Sequence, residues 1–125
     1  QTGINTHNKG NYNMSYRKRW LKLLIEHYGE FCAYCGTSED LHVDHVEPLS
    51  CGGEDIYLNL KIACKSCNSA KKNYTLTEFR LAESLKVSKF GRIINRNQYT
   101  ALFSVGLVDQ INLIEFYFEK VKAND

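Results

Sequence analysis

Two cysteine pairs of the same spacing, Cys32-Ala33-Tyr34-Cys35 and Cys64-Lys65-Ser66-Cys67, constrain this chain more than any other feature. A Cys-x-x-Cys turn presents two thiolates to one side of the backbone, and two such turns complete a tetrahedron around one zinc ion. Four sulfur ligands leave no open position, so the zinc is structural, and its binding contributes on the order of 10 kcal/mol to folding. Residues 36–63 must then leave and rejoin one point in space. A redox dithiol would explain one pair, but not two with Gly36 and Asn68 just behind them. The fifth cysteine, Cys51, has no partner at ligand spacing and reads as a free thiol in a loop.

Between the pairs, Leu41 to Val46 has a short strand-like pattern, Pro48 and Gly52-Gly53 break it, and Leu58 to Ala63 is a second alternating run. Cys64 to Lys72 reads as a turn into a helix. The order strand, loop, strand, helix is α+β, and it collects Asp44, His45, Asn59 and Asn68. Hydrolysis of a phosphodiester needs a base for the attacking water and a cation for the charge on phosphate and leaving oxygen. Imidazole titrates in the range a base needs. A carboxylate and an amide oxygen are hard ligands suited to Mg²⁺ or Mn²⁺. Asp44 and Asn68 supply that pair if the helix after Cys67 packs on the strand of Asp44. His42 shares that strand and reads as structural rather than as a ligand.

Taken together, Cys32-x-x-Cys35, Val43-Asp44-His45-Val46 with Pro48-Leu49, Gly52-Gly53, Asn59-Leu60 and Cys64-x-x-Cys67-Asn68 with Lys71 resemble an HNH endonuclease. The resemblance implies a ββα-metal core on a four-cysteine zinc clamp, with α-helices before and after it. It implies His45 as general base and Asn59 as brace of the loop that carries it. Asp44 and Asn68 would hold a catalytic Mg²⁺ or Mn²⁺, and Cys32, Cys35, Cys64 and Cys67 the zinc. Such hydrolases cut DNA to leave 5′-phosphate and 3′-hydroxyl ends. Asn68 fills the position of the last histidine of the pattern, and an oxygen ligand there favours Mg²⁺ over Ni²⁺.

The rest of the chain is expected to serve this centre. Residues 1–14 look like a flexible polar arm, 15–74 the nuclease core with its leading helix, and 75–125 a helical extension packed on the core or used for DNA contact or dimerisation. Ser15 is the expected cap of the first helix, with Tyr16, Trp20, Leu23, Leu24 and Tyr28 as its apolar stripe. Thr75 or Thr77 caps a helix through Leu85, Asn97 a shorter one, and Asp109 a last helix striped by Leu107, Ile111, Ile114, Phe118 and Val121. The net charge is only +2, yet residues 1–22 carry five basic side chains and no acid, and 61–96 carry nine against Glu78 and Glu83. Basic segments on both sides of an acidic middle fit a polyanion. Arg17, Lys18, Lys61, Lys65, Lys71, Lys72, Arg92 and Arg96 are the expected DNA contacts, with DNA favoured over RNA as partner. No apolar run matches a signal peptide or a membrane span, so the expected setting is cytoplasmic and reducing. The start at Gln1 fits a fragment of a larger parent protein, and a last helix that pairs two subunits would make a homodimer. Two other readings stay open: a catalytically silent zinc-clamped nucleic-acid-binding module, and a structural zinc domain of a larger restriction, phage or mobile-element protein.

Overall fold

The structure, a computed structural model, describes residues 16–123. The arm expected over 1–14 and the cap Ser15 lie outside these residues. Helix α1 (Arg17–Tyr28) stops at Gly29, whose φ of 96° suits glycine and whose N–H donates to the Ile25 carbonyl. Its buried face is rotated from the expected one. Leu24 is fully buried beside Trp20, Leu21 and Ile25, while Leu23 and Tyr28 stay exposed. A helix lying on a narrow sheet needs only one stripe, and Leu21, Leu24 and Ile25 make it at i, i+3 and i+4.

Strands β1 (Leu41–His45) and β2 (Leu60–Cys64) pair antiparallel, with Leu41 opposite Cys64 and His45 opposite Leu60. The second strand begins later than its alternation suggests because Tyr57–Asn59 form a 3-10 turn. Val43, Leu60 and Ile62 pack under α1 with Leu24. Ala63 instead joins Cys32, Tyr34, Cys64, Phe79 and Phe116 in a second core. Helix α2 (Lys65–Lys71) follows β2 without a break, and the Cys64 sulfur caps it by accepting the Cys67 N–H. These elements form the ββα unit of an α+β fold.

Helix α3 (Leu76–Lys86) opens on a capping box between Thr75 and Glu78. Helix α4 (Arg96–Ser104) opens on another, between Asn95 and Gln98, so the cap is Asn95 rather than the expected Asn97. The last helix differs most. Residues 109–116 are not helical, and only α5 (Tyr117–Ala123) is. A helix would point Ile111 and Ile114 to one face and Phe116 nearly opposite. The irregular path lets Ile111 join Leu85 and Tyr99 while Phe116 stacks on Phe79 beside the cysteines. The Ile111 N–H donates to Tyr99 Oη and the Ile114 N–H to Ser84 Oγ, so side chains of α4 and α3 replace helical carbonyls as acceptors. Arg80 then clamps Glu119 with two bonds of 2.6 Å, which ties α5 to α3. No helix among the described residues is long and apolar enough to cross a membrane.

Candidate active site and metal centre

The ligand atoms of Cys32, Cys35, Cys64 and Cys67 all lie within 4.8 Å of one another. The Cys35 and Cys64 sulfurs are 3.7 Å apart. Tetrahedral zinc with bonds near 2.3 Å would set its sulfurs about 3.8 Å apart, so the donor set fits the ion. Each pair is a knuckle: the Tyr34 and Cys35 N–H groups point at the Cys32 sulfur, and the Cys67 N–H at Cys64. Such N–H groups stabilise thiolates. The Cys32 thiol is pulled down to about 4 by the hydrogen bond from Cys67 and by these N–H groups, against its burial. The Cys67 thiol is pushed up by the same contact with Cys32, then by burial. Zinc bound here would have four sulfur ligands and hold 32–35 against 64–67.

Asp44 lies three residues along β1 from Leu41, the partner of Cys64, and is 7% exposed. Tyr34, from the middle of the first knuckle, donates its hydroxyl to Asp44 Oδ2 at 2.7 Å. Lys71 Nζ lies 3.3 Å from the same oxygen and donates to the His45 carbonyl at 3.0 Å. The other oxygen, Oδ1, has no hydrogen-bond partner among the described residues and is not among the buried unpaired atoms, so it reaches solvent. Burial raises the Asp44 carboxyl above its ordinary range, while Tyr34 and Lys71 pull it back down. Burial raises the Tyr34 phenol as well, and the Asp44 charge adds to that.

His45 ends β1 and is held at Nε2 by Asp55 Oδ1, 2.9 Å away. The loop between them is fixed by Asn59. Its amide accepts the Glu47 N–H and donates to the Glu47 and Glu54 carbonyls, at 3.0, 2.9 and 2.8 Å. A Cβ on Gly53 would fall 1.8 Å from the Glu47 carbonyl oxygen, so this loop closes only around glycine.

Asn68, on α2, lines an open cleft with Asp40, His42, Lys65, Ser69 and Lys72. Its side-chain amide makes no hydrogen bond among the described residues. His42, read from the sequence as structural, is exposed at this cleft rather than packed inside. Lys65 and Lys72 are exposed on its rim.

The other expected DNA contacts divide. Arg17, Lys18 and Arg92 are exposed. Lys71 is fully buried, because it shares one face of α2 with Cys64, Cys67 and Asn68, and so it is not a surface cation. Lys61 lies over the rings of Phe118 and Tyr28, at 4.4 and 5.6 Å, in a groove away from the cleft. Arg96 lies over the Tyr74 ring at 5.1 Å and 3.6 Å from Glu78. The sequence reading missed Tyr34 and Asp55. Asp55 stands ten positions from His45 with no spacing rule to link them, whereas a large aromatic inside a zinc knuckle was a usable signal for Tyr34.

With this geometry in place, comparison with protein families matches residues 32–74 to the model of the HNH endonuclease. No curated protein matches the chain. The matched segment runs from the first cysteine of the cluster through β1, the Asn59 loop, β2 and α2, and so contains all four sulfurs together with Asp44, His45, Asn59 and Asn68. Residues 32–74 thus match the HNH endonuclease family model, and they form a ββα core built on a four-cysteine cluster that fits zinc.

Proposed function

We propose that the protein is a metal-dependent endonuclease that hydrolyses DNA phosphodiester bonds, with His45 as general base. The observation that carries this reading is the held imidazole: Asp55 grips His45 Nε2 at 2.9 Å, in a loop that Asn59 pins by three backbone bonds. With the Nε2 proton directed at Asp55, Nδ1 is the acceptor that takes a proton from water. Asp44 Oδ1 and the Asn68 amide oxygen are hard donors on the same ββα frame, of the kind that Mg²⁺ or Mn²⁺ takes. When bound, such an ion supplies charge neutralisation at the scissile phosphate and the leaving oxygen. Lys65 and Lys72 on the cleft rim offer cations to the DNA backbone, with Arg17, Lys18 and Arg92 as further exposed cations.

A second reading, a nucleic-acid-binding module without catalysis, is favoured by the internal bonds of Asp44 to Tyr34 and Lys71. Supercoiled plasmid incubated with zinc-loaded protein and Mg²⁺, Mn²⁺ or Ni²⁺ separates the two. The nuclease reading predicts nicked circles with 5′-phosphate ends, formed faster in Mg²⁺ and Mn²⁺ than in Ni²⁺. Retention of the plasmid without any nick in all three metals would leave the binding module.

A further inference from the structure

We propose that Tyr34 is a positioning residue that couples the zinc knuckle to the catalytic-metal ligand Asp44, by holding Oδ2 so that Oδ1 is turned outward. The inference rests on the nuclease reading for the role of Asp44 but not for the contact itself. Tyr34 belongs to the sulfur cluster by its backbone, since its N–H points at the Cys32 sulfur and its neighbour Cys35 is a ligand. It belongs to the other site by its hydroxyl, which reaches Asp44 Oδ2 at 2.7 Å. Between these ends the ring is locked. Phe79 and Phe116 meet it edge-on at 5.3 and 5.1 Å, and Tyr34 is 5% exposed. The Tyr34 carbonyl also accepts the Tyr117 N–H, which fixes the knuckle from the C-terminal side.

A carboxylate on a strand rotates freely about its last bond unless one oxygen is fixed. Here Tyr34 and Lys71 converge on Oδ2, and both come from elements attached to the cysteine cluster: Tyr34 from the first knuckle, Lys71 from the helix that Cys64 caps. One oxygen is thereby tied inward and the other left for a cation. Bonds of this kind behind a metal ligand orient it, and their loss typically costs about 10–100-fold in metal affinity or activity. The sulfur cluster thus acts on the chemistry through one phenol, in addition to holding the fold.

Tyr34→Phe keeps the ring and deletes the bond. Mn²⁺ binding to the zinc-loaded native protein and the variant is measured by electron paramagnetic resonance, alongside zinc content, melting temperature and plasmid nicking across a Mn²⁺ titration. The expected result is unchanged zinc, near-native melting, Mn²⁺ binding weakened about tenfold, and a nicking rate recovered at saturating Mn²⁺. A folding defect would not be recovered in that way. Equal Mn²⁺ affinity in the two proteins, or no Mn²⁺ binding by the native protein, overturns the coupling. If the native protein binds Mn²⁺ but never nicks, and Tyr34→Phe binds more weakly, the nuclease reading fails while the coupling stands.

Discussion

The sulfur cluster and the cleft beside it are built on opposite plans. Four cysteines from two short turns converge within 4.8 Å, capped by their own backbone N–H groups and packed against Phe79 and Phe116. The candidate oxygen site is drawn from single residues of β1, α2 and the intervening loop, several held by a partner of their own: Asp44 by Tyr34 and Lys71, His45 by Asp55, and the loop by Asn59. A closed site can bury its ligands because the ion would satisfy all of them. An open site must leave donor atoms unpaired and so depends on neighbours to keep them in place. On the proposed nuclease reading, stability concentrates at the sulfurs and chemistry at the oxygens.

The sharpest way to test this contrast is to remove the zinc. Chelation, or Cys64→Ser, should remove on the order of 10 kcal/mol and abolish cooperative melting in circular dichroism. A next step asks whether the C-terminal segment belongs to the sulfur side. Phe116→Ala should cost about 3–5 kcal/mol, because it empties a fully buried ring site, while one zinc per chain is retained. Loss of zinc with little loss of stability would reverse that picture. Asn59→Ala should cost about 0.5–1.5 kcal/mol by deleting the bonds that pin the exposed loop to Glu47 and Glu54, and should slow nicking more than it weakens DNA binding.

The smallest effect is expected at the Arg80–Glu119 pair, which contains no residue of either site. The Arg80 hydrogen bonds hold the Glu119 carboxyl below its ordinary range, so the folded state binds that proton less tightly than the unfolded chain. The stabilisation is full above the unfolded value of about 4.3 and is lost as pH falls through the folded one. Glu119→Gln should cost about 1 kcal/mol at neutral pH. Its melting gap to the native protein should close as the pH drops below about 4.3, the gap being the readout because both proteins shed cysteine-bound zinc on the way down.

The same contrast explains what could be read in the sequence. Ligand spacing is local, so the Cys32–Cys35 and Cys64–Cys67 pairs announce their site, and the strand, loop, strand and helix between them follow from alternation and from Gly52-Gly53. The Asn59 brace is legible only through the resemblance, since nothing local marks its backbone partners. Lys71 reads as a phosphate contact because lysine is almost always exposed, yet helical phase carries it inward to a buried carboxylate. The stripe from Leu107 to Val121 keeps helical spacing, but Phe116 breaks it by facing Phe79, and that tertiary demand overrides the local pattern.

One measurement bears most directly on the division between a structural sulfur site and a chemical oxygen site. Zinc content and Mg²⁺-dependent nicking of supercoiled plasmid are determined on the same preparations of native protein and His45→Ala. The account predicts one zinc per chain in both, matching melting curves, and a nicking rate lowered about 10²–10⁴-fold in the variant. Nicking by His45→Ala at the native rate would contradict it.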